Sequence, residues 1–142
     1  MKGEYVCEYV GEVITSEEAD KRKNYDREKL SYLFDLTAKE EEKKEGEELE
    51  EYTIDAKKKG NVSRFINHSC DANLTIFNVF IDNHNRFLPL LCIFANRDIA
   101  AGDELTIDYK YELDENNTPV KRNQETTIFC KCNSKNCRKF LY

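Results

Sequence analysis

Short runs of apolar, β-branched and aromatic residues, separated by polar segments, make up most of this chain. Most of these runs are too short for helices, and their composition favours strands. The strongest hairpin signal comes from the runs at 74–81 and 87–95, with a polar turn at 82–86 between them. The pattern predicts a mostly β domain made of several small sheets. The predicted strands are 5–10, 13–14, 32–36, 52–56, 74–81, 87–95 and 104–109.

Two segments predict helix. Thr15 and Glu18 form a capping-box pattern, which opens a short polar helix that we expect to end near Asp26. In the segment 62–66 the apolar residues fall at a spacing that suits one or two helical turns. These turns lead into Asn67-His68-Ser69-Cys70, which we expect to be a loop.

The acidic residues of the chain are concentrated in one segment. Residues 39–51 carry eight acids and three lysines, a net charge of −5, whereas the whole chain of 142 residues has a net charge of −6. One interpretation is a solvated, partly disordered insertion, and the other is a surface that attracts a basic peptide. The basic stripe of a nucleic-acid-binding protein is missing, so we expect no direct sequence-specific binding of nucleic acid.

Length and hydropathy indicate one domain and no membrane segment. A chain of 142 residues is long enough for one core but not for two. The sequence has no run of eighteen apolar residues, and its first residues do not open a signal peptide. We therefore expect a soluble, intracellular protein without a membrane partner.

The six cysteines favour a zinc site over a disulfide framework. Cys130, Cys132 and Cys137 form a Cys-x-Cys-x4-Cys tail, which leaves a tetrahedral zinc site one ligand short, and Cys70 is the best candidate for the fourth. Disulfides are the alternative, but the spacing is uneven and there is no secretory signal. The other two cysteines, Cys7 and Cys92, lie in apolar runs and suit small buried side chains.

Three ordered motifs resemble a known family. They are the segment 64–70 (Arg-Phe-Ile-Asn-His-Ser-Cys), the segment 104–109 (Glu-Leu-Thr-Ile-Asp-Tyr) and the cysteine tail. In this order they resemble a SET-domain protein lysine methyltransferase with a post-SET zinc tail. The segments 8–13 and 32–36 are similar to the suppressor-of-variegation subgroup. Each motif alone is weak, and the ordered set is specific.

The resemblance implies a fold and an activity. The fold would be the SET fold of several small sheets, with a knot-like crossing that joins the Asn-His-Ser loop to the strand 104–109. The activity would be transfer of methyl groups from S-adenosylmethionine (AdoMet) to a histone lysine, most specifically lysine 9 of histone H3. The partners would be the H3 tail or another basic peptide and chromatin, in the nucleus on the chromosome. The Zn²⁺ ion would be structural.

The resemblance also implies roles for single residues. Tyr109 matches the catalytic tyrosine that orients the amine, and Tyr32 matches a tyrosine that lines the same channel beside the cofactor. Asn67 and His68 match the residues that hold AdoMet. The alternatives are sheet aromatics with solvated hydroxyls for the two tyrosines, and a structural or zinc-binding histidine for His68. We reject zinc binding by His68 because His68 and Cys70 are so close in sequence that they would be crowded as ligands of one metal ion.

Ile107 departs from the family pattern, which commonly has Phe or Tyr at this position. The matching residue controls how many methyl groups fit beside the amine. Since isoleucine has less bulk and no hydroxyl, we expect a dimethylated or trimethylated product. The segment 64–70 also carries Arg64, to which the sequence assigns no role.

The family pattern predicts a division of the chain. Residues 1–113 would be the SET domain with an acidic insert at about 38–51, residues 114–125 a linker, and residues 126–142 the post-SET zinc-binding tail. The family's Gly-x-Gly strand would lie upstream of Met1, so we expect the SET domain to be incomplete at its N-terminus and the chain alone to have weak or no activity. The alternative from another class of protein is a catalytically impaired SET remnant that binds a basic peptide or a chromatin partner. A weaker alternative is a purely structural zinc-clamped domain.

Overall fold

Small sheets built from short strands account for most of the described structure. The computed structural model describes residues 1–25, 32–36, 51–81, 88–109 and 128–141. The predicted acidic insert, apart from Glu51, the turn at 82–86 and the linker at 114–125 lie outside these residues. The described elements are β1 (Tyr5–Glu8), β2 (Glu12–Thr15), α1 (Ser16–Tyr25), β3 (Leu33–Leu36), β4 (Tyr52–Asp55), a 3₁₀ helix (Val62–Phe65), β5 (Asn67–His68), β6 (Leu74–Val79), β7 (Leu90–Ala95) and β8 (Thr106–Ile107).

The strands form two sheets, which confirms the predicted mostly β class. One sheet has five strands in the order β1-β7-β6-β8-β5, and the other has three in the order β2-β4-β3. The neighbouring positions of β6 and β7 agree with the hairpin signal. The chain also divides into two compact units. The first contains Met1–Val6, Phe65–Ile76 and Ile93–Tyr142, and the second contains Cys7–Arg64 and Phe77–Cys92.

The three-stranded sheet and α1 belong to the second unit. Strand β4 is the central strand and pairs antiparallel with β2 and with β3, so that Ile54 lies opposite both Val13 and Phe34. The pairing of β3 with β4 confirms the predicted pairing of the segments that flank the acidic insert. The core of this sheet is made of side chains that are almost completely buried: Ile14, Ala19, Leu36, Thr53 and Ile54.

Helix α1 begins as the capping box predicts. The backbone N–H of Glu18 donates to the Thr15 hydroxyl oxygen at 3.3 Å, which satisfies one of the unpaired donors of the first turn. The helix ends at Tyr25, one residue before the expected end. Arg22 joins the helix to the sheet, since its guanidinium contacts the carboxylates of Asp55 at 2.7 Å and Glu12 at 3.2 Å.

The first unit contains a parallel contact that the sequence pattern did not predict. Strand β5 pairs parallel with β8, with Asn67 opposite Thr106 and His68 opposite Ile107, and β6 pairs with the other side of β8 at Leu74. The expected loop at 67–70 therefore begins as a short strand. The predicted meeting of this segment with 104–109 is confirmed, whereas the knot-like threading stays a prediction.

The last predicted strand is much shorter than expected. Of the segment 104–109, only Thr106 and Ile107 are in β8. Side chains take the place of a strand partner at both ends, because the Glu104 carbonyl accepts from the Asn73 side-chain amide at 2.9 Å and the Tyr109 N–H donates to a ring nitrogen of His68 at 3.1 Å. Strands β6 and β7 are likewise shorter than the apolar runs 74–81 and 87–95 that predicted them. None of the described helices has the length and apolar character needed to cross a membrane.

Candidate active site and metal centre

Four cysteine sulfurs come together in the first unit. The sulfurs of Cys70, Cys130, Cys132 and Cys137 all lie within 4.8 Å of one another, and those of Cys70 and Cys130 are 3.8 Å apart. A tetrahedral zinc site with Zn–S bonds of about 2.3 Å separates its sulfurs by about 3.8 Å. The donor set and its spacing therefore fit Zn²⁺. The predicted gathering of these four sulfurs is confirmed, and all six cysteines are free thiols in this structure.

The tail is folded into a closed loop that presents its three cysteines. Phe129 and Phe140 form an isolated antiparallel bridge, and their rings pack at a centroid distance of 5.5 Å. The N–H of Cys130 donates to the Lys139 carbonyl at 2.9 Å, which closes the loop next to the first ligand. Asn133 has a φ angle of 55°, in the left-handed region that asparagine tolerates better than most residues. The loop therefore holds its own ligands close together, and Cys70 comes from the end of β5.

Hydrogen bonds favour an ionised sulfur in this cluster. Backbone N–H groups of Arg138 and Lys139 donate at 3.4 Å to the sulfurs of Cys70 and Cys137. Burial raises the pKa of the Cys132 thiol, but hydrogen bonds, above all with the Ser134 hydroxyl at 3.2 Å, outweigh this effect and lower the pKa to about 5. Burial raises the pKa of the Cys70 thiol and raises that of Cys130 to about 12. Because the thiolate is the form that binds zinc, Cys132 is ready for the metal, whereas zinc binding must release the protons of Cys70 and Cys130.

His68 connects this cluster to Tyr109. Its Nδ1 accepts the backbone N–H of Tyr109 at 3.1 Å, and its Nε2 lies 3.3 Å from the sulfur of Cys70. An accepting Nδ1 carries no proton, which assigns the proton of the neutral ring to Nε2, facing the sulfur. The side chain is only 4% exposed, and this burial lowers the pKa of His68 in spite of the nearby carboxylate of Asp108. The imidazole is therefore neutral at pH 7. Among the described residues, the group of ligand atoms close enough to share one metal ion consists of the four sulfurs.

The pairing of β5 with β8 brings four of the predicted site residues together. The Tyr109 hydroxyl donates to the Ile66 carbonyl at 2.8 Å, and its ring packs against the His68 ring at a centroid distance of 5.2 Å. Ile107 is buried opposite His68 in the ladder. Asn67 is exposed, and its side-chain amide donates to the Glu104 carboxylate at 2.6 Å. The phenol that the sequence assigned to catalysis is thus held beside the two residues assigned to AdoMet.

Tyr32 lies in the second unit. Its carbonyl accepts hydrogen bonds from the Tyr9 hydroxyl at 2.9 Å and from the Ala56 N–H at 3.1 Å. The guanidinium of Arg64 lies over its ring, 4.5 Å from the centroid, and also donates to the Lys57 carbonyl at 2.8 Å. The structure therefore gives Arg64, which the sequence left unassigned, a contact with a predicted site residue.

The sequence analysis missed an ion pair between the cysteine tail and the segment 104–109. Both nitrogens of the Arg138 guanidinium fork donate to the Asp108 carboxylate, at 2.7 and 2.6 Å. The signal was present in the positions of the two residues, because Asp108 directly precedes Tyr109 and Arg138 directly follows the last cysteine ligand. Opposite charges next to two candidate sites are a reason to test for a contact between them.

The class of protein follows from comparison with known families. The SET domain family model matches residues 1–110. The chain belongs to the SET-domain family, as the ordered motifs predicted.

The curated relatives narrow this class. The chain is 46% identical to histone-lysine N-methyltransferase SUV39H2 of Xenopus tropicalis over 148 aligned positions, which cover 99% of this chain and 34% of that protein. It is also 46% identical to human SUV39H2, covering 96% and 33% of the two chains, and to Su(var)3-9 of Drosophila melanogaster, covering 99% and 21%. The chain therefore spans about a third or less of the length of these relatives.

Solved structures share the fold. Arabidopsis thaliana SUVH6 in complex with SAM superposes with a TM-score of 0.76 at 34% identity, over 99% of this chain and 29% of SUVH6. KRYPTONITE in complex with mCHH DNA, an H3(1-15) peptide and SAH superposes with a TM-score of 0.73 at 33% identity, over 99% and 25%. The predicted SET fold is thereby confirmed.

Proposed function

We propose that this chain carries the AdoMet-dependent methyl-transfer site of a histone lysine methyltransferase. One observation carries the proposal: the Tyr109 phenol is fixed beside Asn67 and His68 by the pairing of β5 with β8, and Nε2 of His68 lies at hydrogen-bond distance, 3.3 Å, from the Cys70 sulfur. The relatives named as histone-lysine N-methyltransferases and the solved neighbours bound to SAM or SAH support the same activity.

The chemistry asks the protein to align two reactants and to exclude water. AdoMet, when bound, supplies a methyl group on a positively charged sulfur. A free lysine has a pKa of about 10.4, so it must lose a proton before it can attack. Burial and the nearby sulfonium charge favour the neutral amine, and the proton leaves to water. The amine then forms a bond to the methyl carbon as the carbon–sulfur bond breaks, and the electron pair stays on the sulfur.

Each predicted site residue receives one role in this scheme. Tyr109 orients the amine through its phenol oxygen, and Tyr32 lines the lysine channel beside the cofactor. Asn67 and His68 hold AdoMet by side-chain and main-chain hydrogen bonds. The four cysteines hold a structural Zn²⁺, and because all four are thiolate ligands, no coordination position is left for substrate or water.

We assign the substrate to lysine 9 of histone H3, in chromatin in the nucleus. The names of the SUV39 relatives and the H3 peptide bound to KRYPTONITE support this class of substrate. The acidic segment 39–51, with its net charge of −5, would attract a basic histone tail by an electrostatic effect that salt weakens.

The test is transfer of tritium from labelled AdoMet to H3-tail peptides by the zinc-loaded chain. Enzyme is used in excess over peptide, so that even a slow single turnover is measurable. We expect label in the native peptide, and none when arginine replaces the lysine at position nine of the peptide. No AdoMet binding by calorimetry and no label at enzyme excess would overturn the proposal. Label that persists in the arginine peptide would overturn the assignment to lysine 9.

Product multiplicity tests the role of Ile107. We propose that its modest bulk admits a dimethylated or trimethylated lysine, since its side chain is buried in β8 two residues before Tyr109. Mass spectrometry of the peptide product should show at least dimethylation, and Ile107→Tyr should shift the product toward monomethyl. Ile107→Val, which keeps a small branched side chain, is the matched control. A purely monomethyl product from the unmodified chain would contradict this role.

A further inference from the structure

Arg138 contacts two sites that the function needs. Its backbone N–H donates to the sulfur of Cys70 at 3.4 Å, while its guanidinium grips both oxygens of Asp108. The residue before it, Cys137, is itself one of the four sulfur ligands. A single residue therefore joins the metal centre to the segment that carries Tyr109.

The geometry of this ion pair sets it apart from the surface pairs of the same unit. The two side chains are 20% and 27% exposed, and both fork nitrogens are used. Arg97 and Asp71, in contrast, are 48% and 55% exposed. One nitrogen of Arg97 donates to the Asp71 carboxylate at 3.1 Å and the other to the Asp71 backbone carbonyl at 2.9 Å, so the carboxylate itself is held at one oxygen only by this arginine. Bidentate pairs that are partly shielded from water fix orientation better than exposed pairs, which are screened and lose side-chain entropy for little gain.

Asp108 lies so close to Tyr109 that a small displacement of Asp108 would also move the Tyr109 phenol. It precedes Tyr109 directly, and its Oδ1 lies 3.6 Å from Nδ1 of His68, the nitrogen that accepts the Tyr109 N–H. The Tyr109 backbone is thus held from one side by His68 and from the other by the Asp108–Arg138 pair. The Asp108–Arg138 pair is therefore a second connection between this backbone and the cluster, beside the His68 contact.

We propose that Arg138 is a positioning residue that transmits the ordering of the zinc tail to Tyr109 through Asp108. It does not touch the reacting atoms in this scheme. The proposal rests on the proposed function for its effect on methyl transfer, but the physical link from metal to tyrosine is testable without any turnover.

Hydrogen exchange measures this link directly. In the unmodified chain, zinc should slow amide exchange both in the tail and in the segment 104–109. In Arg138→Ala, zinc should still bind at one ion per chain and protect the tail, but it should protect 104–109 clearly less than in the unmodified chain, because the His68 contact alone remains as the connection tested here. Lys135→Ala removes the same charge from an exposed position of the same loop and should behave as the unmodified chain. Equal protection of 104–109 in both variants would overturn the proposal.

Single-turnover methyl transfer adds a second measurement. We expect Arg138→Ala to lower the rate by about tenfold to a hundredfold, because a small misplacement of a catalytic group is costly, with a smaller effect on KM for the peptide. Arg138→Lys should recover part of the rate, since lysine offers a point charge rather than a fork. The Arg138→Lys variant also tests the role of the Arg138 side chain if the alanine variant does not fold. An Arg138→Lys rate equal to that of the unmodified chain, or one that falls only with loss of zinc, would overturn the proposal.

A double-mutant cycle tests whether Asp108 carries the effect. If Arg138 acts through Asp108, adding Arg138→Ala to a chain that already carries Asp108→Ala should change the rate by less than about twofold. Independent, multiplicative losses would contradict the proposed route. If the unmodified chain transfers no methyl group at all, the proposed function fails, while the exchange experiment still decides the link between the tail and Tyr109.

Discussion

The three-stranded sheet and the cysteine tail are held together in opposite ways. In the sheet, β4 pairs along its whole length with β2 and β3, and the buried side chains of Ile14, Leu36 and Ile54 form an apolar core. In the tail, the described residues contain a single isolated bridge, and the contacts concentrate on four sulfurs and one arginine. The sheet thus depends on backbone pairing and burial, whereas the tail depends on coordination chemistry. Different perturbations should therefore break each.

Zinc removal should have the largest effect, which should reach the tail and the segment 104–109 and leave the three-stranded sheet intact. A structural zinc site of this type contributes an apparent binding free energy of about 10–16 kcal/mol at pH 7. We expect a chelator, or Cys132→Ser, to remove the protection of backbone amides against hydrogen exchange in the segment 128–141, while the amides of β4 remain protected. Hydrogen exchange with mass spectrometry measures both regions at once.

Cys7→Ser is the matched control for the cysteine change. Cys7 lies in β1, and burial raises the pKa of its thiol, as expected of a partly covered cysteine without an ion partner. Zinc stoichiometry should stay at one ion per chain in this variant. Loss of zinc from Cys7→Ser, or its retention at full affinity in Cys132→Ser, would contradict the four-sulfur site.

Ile54→Ala should destabilise the sheet and leave the metal centre loaded. Its side chain is almost completely buried between Val13 and Phe34, and truncation of such a residue costs about 2–5 kcal/mol. Urea unfolding followed by circular dichroism measures the loss. Val13→Ala, on the half-exposed neighbour in the same ladder, should cost much less; an equal cost would show that Ile54 is not the core of this sheet.

Tyr109→Phe should separate chemistry from stability within the first unit. It removes the hydroxyl bonded to the Ile66 carbonyl and keeps the ring against His68. We expect the single-turnover rate of methyl transfer to fall by about a hundredfold, with zinc content and unfolding midpoint nearly unchanged. Tyr5→Phe, at an exposed position on β1, is the control. A rate within twofold of the unmodified chain, about 0.4 kcal/mol, would remove Tyr109 from the mechanism.

Thr15→Ala should give the smallest of these effects. It deletes the oxygen that accepts the Glu18 N–H at the start of α1, and loss of such a cap costs about 1 kcal/mol. Because α1 belongs to the unit that contains the sheet, urea unfolding should register the change, while zinc affinity should not move. Thr15→Ser keeps the accepting oxygen and should retain most of the stability.

The comparison also explains which features could be predicted from sequence. Segments 52–56 and 32–36 were assigned correctly because β-branched and aromatic runs of that length carry their own strand signal. Strand β5 has no such signal. Its two residues are polar, and they pair only because β8 lies beside them. Parallel pairing between distant segments is set by the fold as a whole, and periodicity in a short window cannot reveal it.

The site shows the same division. The four cysteines could be grouped from spacing and from the missing fourth ligand, since coordination chemistry fixes number and type. The sequence could not show that His68 and Arg138 connect the cysteine cluster to the segment of Tyr109, because these contacts depend on which atoms face one another in space. The opposite charges of Asp108 and Arg138 are visible in the sequence, but only the folded geometry identifies them as a bidentate pair.

The separation of the sulfur ligands along the chain has a consequence for the order of assembly. Cys70 and Cys130 lie 60 positions apart, while the other two ligands follow Cys130 within seven positions. Three sulfurs can therefore bind an ion by closing a short loop, whereas the fourth ligand binds only after the long loop between Cys70 and Cys130 has closed. Because distant closures are slow, completion of the coordination sphere should be a late event in folding. A newly made molecule would then pass through a stage with a loosely bound metal before the tail closes over its partner loop.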